Sequence, residues 1–450
     1  MQKSVSERQI VLEMLTLITK EGQFCHVVLG NVLDKYQYLE KRERAFITRV
    51  TEGTLEHMTE IDYIINQFSK VKVNKMKPVI RNILRMSVYQ LKYMDTVPDS
   101  AVCNEAVKLA VKKGFGTLKG FVNGVLRNIA RNLDNIKWPE DKKEALEVKY
   151  SMPLWIINLW IDKYGIETTE TMLKDFQKEK HVTIRCIKSK ITSEELVKEL
   201  ESEGVKVLPH PYVDGGFYIS GYDYLGGLES FNEGHFAVQD VSSMLVGVLA
   251  DPKEGDHIID VCAAPGGKSL HMADLLTGTG HVDARDLTEY KVDLINDNIE
   301  RLGLLNISAE AKDAAVKYEE DIDTADIVIA DLPCSGLGVL GKKADLKYKT
   351  LETDPKELSL IQRSILNTVC DYVKEGGVLM YSTCTIHPFE NENNVRWFLK
   401  EHSEFEIENL KDKVCDELKT GVSEEGWLQT LPGIHKCDGF FICRLVKKSV

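Results

Sequence analysis

The sequence has no apolar run as long as a membrane-spanning helix, and it has no Cys-x-x-Cys pair. Because a bilayer-spanning helix needs about 20 apolar residues, we expect no membrane partner. The first residues also lack the apolar core and the cleavage site of a secretory signal. Ten cysteines without a regular spacing are typical of reduced thiols, so we expect a cytoplasmic protein.

The chain also lacks an overall excess of positive charge, which taken alone argues against nucleic-acid binding. It has 57 Lys and Arg against 70 Asp and Glu, a net charge of −13. However, residues 1–140 carry 22 basic and 15 acidic side chains, a net of +7, whereas residues 141–450 carry 35 and 55, a net of −20. This asymmetry favours a basic binding module joined to an acidic body about as much as it favours compositional drift.

The pattern of apolar residues predicts three domains. Residues 1–138 have helical periodicity and predict a small all-helical domain. Residues 150–233 have a strand-helix-strand-strand order, which predicts a small α+β insert. Residues 234–450 alternate apolar strands with helices, as is typical of an α/β domain with a mostly parallel sheet.

The strongest chemical signal is the segment Asp260-Val-Cys-Ala-Ala-Pro-Gly-Gly-Lys-Ser269, between a predicted strand and a helical stretch. Its small residues let a ligand approach the backbone, and the amides of a helix N-terminus favour negative charge. A Walker A motif would need glycine at position 262, which is Cys262, and the GxGxxG pattern is also absent. We expect a ligand-binding loop of another type.

Acidic residues follow the next predicted strands. In open α/β sheets an acid after the second strand commonly binds a ribose, and His281-Val-Asp-Ala-Arg-Asp offers Asp283 or Asp286. Asp286 is the better candidate because it lies at the carboxyl end of the strand. Asp313 follows a possible short third strand, and its spacing is equally compatible with an ordinary loop acid.

Three cysteines follow predicted strands: Cys262, Cys334 in Asp331-Leu-Pro-Cys-Ser-Gly-Leu-Gly, and Cys384 in Tyr381-Ser-Thr-Cys-Thr. Lone cysteines are usually small buried hydrophobes, but Cys334 and Cys384 lie in short polar loops at the sheet edge where active sites form. Cys384 and His387 have the gap of a zinc-ligand pair. No second pair accompanies them, so we expect no metal.

Two cysteines, an aspartate and a nucleoside-type pocket suggest methylation of carbon-5 of cytosine. That carbon becomes nucleophilic only after a thiolate has added to carbon-6, which is covalent catalysis. It can then attack a methyl sulfonium, after which a base removes the carbon-5 proton and the thiolate leaves. Spacing alone leaves open which cysteine attacks.

The catalytic half resembles the RNA (cytosine-C5) methyltransferases, which use S-adenosylmethionine. The matching pieces are Phe236-Ala-Val-Gln-Asp-Val-Ser-Ser, the segments quoted above at 260–269, 331–338 and 381–385, Glu390-Asn-Glu392 and Asp438-Gly-Phe-Phe. The helical half resembles NusB-type RNA-binding domains in Arg42-Glu-Arg-Ala-Phe-Ile-Thr, Leu84-Arg-Met-Ser-Val-Tyr-Gln-Leu, Asn104-Glu-Ala-Val and Phe121-Val-Asn-Gly-Val-Leu-Arg-Asn. The resemblance implies a NusB-like domain, an RRM-like insert and a Rossmann-like domain with a seven-stranded, mostly parallel sheet.

The resemblance also implies roles for individual residues. Cys384 would be the nucleophile and Cys334 would assist product release, while Asp331 would lie beside cofactor and base. Lys268 matches the family's Pro-Gly-Gly-Lys lysine and is a candidate catalytic residue. The cofactor would be held by Asp286 at the ribose, Asp313 at the adenine, Asp331, and the loop of Cys262, Ala263, Ala264, Pro265, Gly266, Gly267 and Lys268.

The implied partner is small-subunit (16S) ribosomal RNA, bound by a monomer. Where the family often has Pro-Asp-Ile-Lys-Trp, this chain has Ala344-Asp-Leu-Lys-Tyr348, and we expect Lys342, Lys343, Lys347 and Lys349 to form a basic strip beside the site. Two alternatives remain: a DNA cytosine methyltransferase with Cys334 as nucleophile, and a non-catalytic RNA-binding protein with a methyltransferase-like fold.

Overall fold

The chain divides into two compact units in this computed structural model, which describes residues 6–178 and 181–449. The first unit comprises the residues up to Lys178 together with Leu340–Thr350, and the second comprises the rest. Within the described ranges, no helix has the length and apolar character that crossing a membrane requires.

The long elements of the first unit are helices, as the periodicity predicts. They are α1 (Glu7–Thr19), α2 (Cys25–Lys35), α3 (Lys41–Glu56), α4 (Met58–Phe68), α5 (Pro78–Tyr93), α6 (Asp99–Lys112), α7 (Lys119–Arg131), α8 (Lys142–Tyr150) and α9 (Leu154–Phe176). The apolar stripe of α5 is completely buried at Ile80, Ile83 and Leu84, so this helix lies at the centre of the core. Gly165, with φ of +77°, interrupts α9.

The segment Leu340–Thr350 belongs to the helical unit, and two of the four lysines predicted to form a basic strip, Lys347 and Lys349, bond protein groups there, whereas Lys342 and Lys343 are exposed. Lys347 is buried, and its ammonium donates a 2.8 Å hydrogen bond to the carbonyl of Glu56 at the end of α3. Burial lowers the pKa of Lys347 to about 8. Lys349 pairs with Asp345 at 2.8 Å. A helix C-terminus attracts cations, which explains the position of the Lys347 ammonium at the end of α3.

The second unit begins with a small antiparallel sheet. It contains β1 (Val182–Cys186), α10 (Ser193–Ser202), β2 (Lys206–Pro209), β3 (Gly216–Ser220), α11 (Glu229–Asn232) and β4 (Phe236–Val238). The strand order is β2-β3-β1-β4. The sequence places β4 within the segment 234–450, but in the structure it pairs with β1, with Ile184 opposite Val238.

The rest of the second unit is a larger sheet flanked by helices. Its elements are α12 (Val241–Ala250), β5 (His257–Asp260), α13 (Gly267–Leu275), β6 (His281–Asp286), α14 (Glu289–Leu302), β7 (Ile307–Ala311), β8 (Ala325–Asp331), α15 (Asp354–Val369), β9 (Val373–Thr383), α16 (Glu392–Glu401), β10 (Phe405–Glu408), β11 (Leu428–Thr430) and β12 (Phe440–Lys447). The order is β10-β12-β9-β8-β5-β6-β7, and β11 pairs with β12 as an eighth strand. The expected count of seven omits β11, which has only three residues.

The central strands are parallel, and this brings the candidate residues to one edge. Strands β6, β5, β8 and β9 are neighbours in that order and point the same way. Their carboxyl ends therefore present Asp286, the Cys262–Lys268 loop, the Cys334 loop and Cys384 side by side. The chain changes direction across the sheet between β5 and β8, which is where ligands bind in open α/β sheets.

Candidate functional site

The loop after β5 is held by its own backbone and by the end of β6. The amide of Ala263 donates to the carbonyl of Arg285 at 2.8 Å, and the amide of Ala264 donates to Asp286 Oδ2 at 3.0 Å. Gly266 has φ of +101° and caps α13. A side chain would be strained in that conformation, so glycine permits the sharp entry into the helix.

The Asp286 carboxylate is buried at the end of β6. Its Oδ1 accepts from the amide of Leu287 at 2.7 Å and from Lys291 Nζ at 2.8 Å, beside the bond from Ala264. The alternative candidate, Asp283, accepts from His257 Nε2 at 2.8 Å in this structure. Of the two acids, the structure therefore connects Asp286 to the loop.

Asp260 is a buried carboxyl at the start of the loop, and no pattern in the sequence assigns it a separate role. Ser269 Oγ donates to its Oδ2 at 2.6 Å across the loop. Burial raises the pKa of Asp260 to about 7. Its neighbour Cys262 also has a raised pKa because of burial, so this thiol holds its proton firmly.

An ion pair connects the cofactor loop with the neighbouring strand. Lys268 Nζ lies 2.6 Å from Asp331 Oδ2, and Ser382 Oγ donates to Asp331 Oδ1 at 2.8 Å. Burial acts to lower the pKa of Lys268, but the Asp331 carboxylate outweighs it and the pKa is raised. The Lys268 ammonium also lies 5.5 Å from the ring centre of Phe440, so it contacts both the Asp331 carboxylate and an aromatic ring.

The two thiols predicted to act together are adjacent. Cys334 Sγ and Cys384 Sγ are 3.2 Å apart, and both side chains are half-buried. The hydrogen bond to Cys384, together with burial, raises the pKa of Cys334 far above its ordinary value. The close contact between the two sulfurs therefore disfavours ionisation of both thiols at once.

Close backbone contacts fix this pair. The amide of Gly338 donates to the carbonyl of Cys384 at 3.0 Å, and the amide of Gly439 donates to the carbonyl of Gly338 at 2.9 Å. A Cβ on Gly338 would lie 1.8 Å from the carbonyl oxygen of Gly439. Only glycine allows these loops to approach so closely, which explains its place in the Cys334 loop.

Asp313 lies apart from these contacts. It is exposed, and its Oδ1 accepts from the amide of Ala315 at 2.9 Å. Asp313 lines a small cleft together with Tyr318 and Val261. Val261 is the residue directly before Cys262 in the chain. His387, the possible zinc partner, accepts from the amide of Phe389 through Nδ1 at 3.1 Å.

Sequence reasoning missed the buried polar residues behind the thiols. Glu390, Asn391 and Gln362 are fully buried and contact the residues on either side of both cysteines. Glu390 and Asn391 belong to a motif that the sequence already identifies, but no spacing rule connects Glu390 with the Cys334 loop, since Ser335 lies 55 residues before it.

This fold and site define a Rossmann-like methyltransferase: a parallel sheet with a glycine-containing loop after β5, a buried acid after β6 and paired thiols after β8 and β9. Comparison with known proteins agrees. Residues 247–446 match the family model "16S rRNA methyltransferase RsmB/F", residues 5–131 match the NusB family, and residues 152–222 match the ferredoxin-like domain of the RsmF/B-like methyltransferases.

Similar proteins cover the whole chain. The "Probable ribosomal RNA small subunit methyltransferase B" of Bacillus subtilis (strain 168) is 36% identical over 99% of this chain and 100% of its own length. The protein of Escherichia coli O1:K1 called "Ribosomal RNA small subunit methyltransferase B" is 27% identical over 100% of both. The solved structure of PH0851 has a TM-score of 0.84 at 27% identity over 99% of both chains. A methyltransferase homologue from Pyrococcus horikoshii has a TM-score of 0.60 at 26% identity, covering 69% of this chain and 100% of its own.

The chain belongs to the ribosomal RNA small subunit methyltransferase B family. The resemblance stated from the sequence is thereby confirmed. The predicted fold class is confirmed as well: a NusB-like helical domain, a ferredoxin-like α+β insert and a Rossmann-like methyltransferase domain.

Proposed function

We propose that this chain methylates carbon-5 of one cytosine in small-subunit ribosomal RNA, with Cys384 as the nucleophile and Cys334 as the thiol that assists release. Family membership makes it a methyltransferase of ribosomal RNA, and the methyl donor is S-adenosylmethionine. The observation that carries the finer proposal is the 3.2 Å separation of the two sulfurs at the ends of adjacent strands.

The assignment of the two roles follows the family resemblance. Cys384 lies in the Tyr381-Ser-Thr-Cys-Thr segment that resembles the nucleophile segment of the RNA (cytosine-C5) methyltransferases. A thiolate, not a thiol, adds to carbon-6 of the cytosine. Addition of the Cys384 thiolate would make carbon-5 electron-rich, with the Cys334 sulfur 3.2 Å away.

S-adenosylmethionine supplies an electrophilic methyl group when it is bound. The residues at the cofactor loop fit such a ligand: Gly266 and Gly267 carry no side chain into the turn, and buried Asp286 offers carboxylate oxygens at the switch point. We propose that the loop Cys262–Lys268 and Asp286 hold the methionine and ribose portions. Asp313 would bind at the adenine end.

After methylation, carbon-5 carries both a methyl group and a proton. Removal of that proton expels the Cys384 sulfur from carbon-6 and restores the aromatic ring. We propose that Cys334 serves this elimination as a thiolate that accepts the carbon-5 proton while the Cys384 sulfur leaves. Asp331, held by Lys268 and Ser382, would hydrogen-bond the base beside the cofactor.

We also propose that the helical residues 1–138 bind the RNA, with 150–233 as the insert and 234–450 as the catalytic domain of a monomer. The segment before α5 carries the exposed lysines Lys70, Lys72, Lys75 and Lys77. Exposed lysines attract phosphates without regard to sequence, and the target base would then be unstacked into the site.

Methylation of 16S ribosomal RNA transcripts and of DNA of the same sequence tests the proposal. We expect 5-methylcytosine at one position in RNA, detected by mass spectrometry of nucleosides and by mapping. Product on DNA alone would favour the DNA methyltransferase alternative. Binding of S-adenosylmethionine without turnover on any ribosomal RNA would favour the non-catalytic alternative.

Salt provides a separate test of the RNA-binding domain. Each neutralised phosphate releases counterions, so log affinity should fall linearly with log salt, by about 0.7 to 0.9 per contact. We expect removal of the four lysines before α5 to weaken binding and to flatten this slope. An unchanged slope in the quadruple alanine variant would place the RNA elsewhere.

A further inference from the structure

Glu390 makes an unusual set of contacts for a buried carboxylate. Its Oε1 accepts from the amide of Ser335 at 2.8 Å, and its Oε2 accepts from Ser335 Oγ at 2.5 Å. Gln362 Nε2 donates to Oε1 at 3.2 Å. Burial raises the pKa of Glu390, whereas the hydrogen bonds from Ser335 and Gln362 act to lower it. A carboxylate is costly to bury unless its hydrogen bonds are well formed.

These contacts surround Cys334 without touching its sulfur. Ser335 follows Cys334, and Pro333 precedes it. Gln362, which donates to Glu390, also donates to the Pro333 carbonyl at 2.9 Å through the same amide group. The backbone on both sides of this cysteine is thus fixed to one buried cluster.

The residue after Glu390, Asn391, bonds the two residues that flank Cys384. Its Oδ1 accepts from Thr383 Oγ1 at 2.6 Å, and its Nδ2 donates to the Thr385 carbonyl at 3.0 Å. A further bond joins the two loops directly, since Ser335 Oγ lies 2.8 Å from Thr385 Oγ1. Two consecutive residues, Glu390 and Asn391, therefore hold three of the four neighbours of the cysteines, and Gln362 holds the fourth.

We propose that Glu390 is a positioning residue, which with Asn391 fixes the Cys334 loop against the Cys384 loop so that both sulfurs reach one base. The two thiols must act on adjacent ring atoms, and a misplacement of 1 Å can cost about 100-fold in rate. The expected effect on catalysis rests on the function proposed above. The distance between the two thiols does not depend on that function, so the distance can be tested separately.

The thiol spacing is measured with phenylarsine oxide, whose arsenic forms two As–S bonds with neighbouring thiols and releases one water. We expect the wild-type full-length protein to bridge Cys334 and Cys384, as identified by peptide mass mapping, and Cys334→Ser or Cys384→Ser to abolish that bridge. Glu390→Ala should slow bridging about tenfold or more, since the loops lose their common acceptor. Glu425→Gln, which removes an exposed carboxylate paired with Arg396, is the matched control and should bridge normally.

The catalytic arm measures methyl transfer to 16S ribosomal RNA. We expect Glu390→Ala to lower kcat about 100-fold, with KM for RNA and the Kd for S-adenosylmethionine nearly unchanged. Glu390→Gln keeps the acceptor for the Ser335 amide and should recover part of the rate. Glu390→Asp is one methylene too short for both bonds and should resemble the alanine variant. A purely structural role would instead lower stability and both affinities together.

Wild-type bridging and full turnover in folded Glu390→Ala would overturn the proposal. If that variant does not fold, Glu390→Gln and Ser335→Ala decide by the same two measurements. If the wild-type protein bridges its thiols but methylates no cytosine, the proposed function fails while the positioning role is still decided by the bridging rates.

Discussion

The cofactor edge (Cys262–Lys268 with Asp286) and the thiol edge (the loops of Cys334 and Cys384) adjoin in one sheet but are stabilised differently. The cofactor edge depends on carboxylates that bond nearby amides and lysines, as Asp286 does with Ala264 and Lys291. The thiol edge depends on buried neutral donors gathered by Glu390 and Asn391.

The difference corresponds to what each edge has to do. The cofactor edge holds charged groups, Asp286 and Lys268, which can bind ligand atoms and which respond to substitution locally. Two sulfurs that share one base need fixed distances, and saturated buried hydrogen bonds provide rigidity. Substitutions at the two edges should therefore separate affinity from turnover.

The largest effect is expected from the cysteines. Cys384→Ala should abolish methyl transfer because no thiolate adds to carbon-6, while S-adenosylmethionine binding persists at the other edge. Cys334→Ala should still add to the base and methylate it, but it should fail to release the product. The enzyme would then accumulate as a covalent RNA adduct, visible as a slowly migrating band in a denaturing gel.

The double substitution is the control, and it should give no band. An adduct from Cys384→Ala and none from Cys334→Ala would exchange the two roles and favour a DNA-type mechanism. If neither variant forms an adduct and both stay active, the thiols are structural and the proposed mechanism is wrong.

The next largest effect is expected where the edges meet. Asp331 bonds Lys268 of the cofactor edge and Ser382 of the β9 strand. Asp331→Asn removes the charge facing Lys268, and a bond to a charged group contributes about 1.5–3 kcal/mol, or roughly 10- to 100-fold. We expect both turnover and cofactor affinity to fall. Asp326→Asn, at the other end of β8 and paired with Lys374, is the matched control and should leave both unchanged.

Much of the cofactor edge follows from contiguous sequence. The segment Asp260–Ser269 contains its own small residues and helix start, and Asp286 lies at the end of the next strand, so strand order alone places them together. Asp260 is the exception, because burial raises its pKa and the sequence pattern does not show how deeply a single carboxyl is buried.

The thiol edge could be predicted only in part. Parallel strands explain why Cys334 and Cys384 converge, but their hydrogen-bonded surroundings come from Gln362 on α15 and Glu390 before α16. The burial of Lys347 was equally hidden, since a lysine in a charged loop has the pattern of a surface residue and nothing in the sequence shows that its segment belongs to the helical unit.

A moderate effect is expected at Asp286. Asp286→Ala removes three acceptor contacts from the cofactor edge, so the Kd for S-adenosylmethionine should rise roughly 10- to 100-fold. Isothermal titration measures this change. Arsenical bridging of Cys334 and Cys384 should stay at the wild-type rate because the thiol edge has its own support. Asp283→Asn, which alters a contact with His257, is the control. A slower bridging reaction in Asp286→Ala would mean that the two edges are one unit.

The smallest effect is a pH dependence of stability at Asp260. Burial raises its pKa to about 7, with Lys268 opposing and Asp331 adding to the shift, whereas the ordinary value is about 4. Since the folded state holds this proton more tightly than the unfolded chain, the stabilisation is present below about pH 4 and is lost as the pH rises through 7. Asp260→Asn stays neutral and keeps an oxygen to accept from Ser269. Its melting temperature relative to wild type should therefore increase from pH 5 to pH 8, whereas a difference that is constant over this range would mean that Asp260 is already ionised in the folded protein at pH 5.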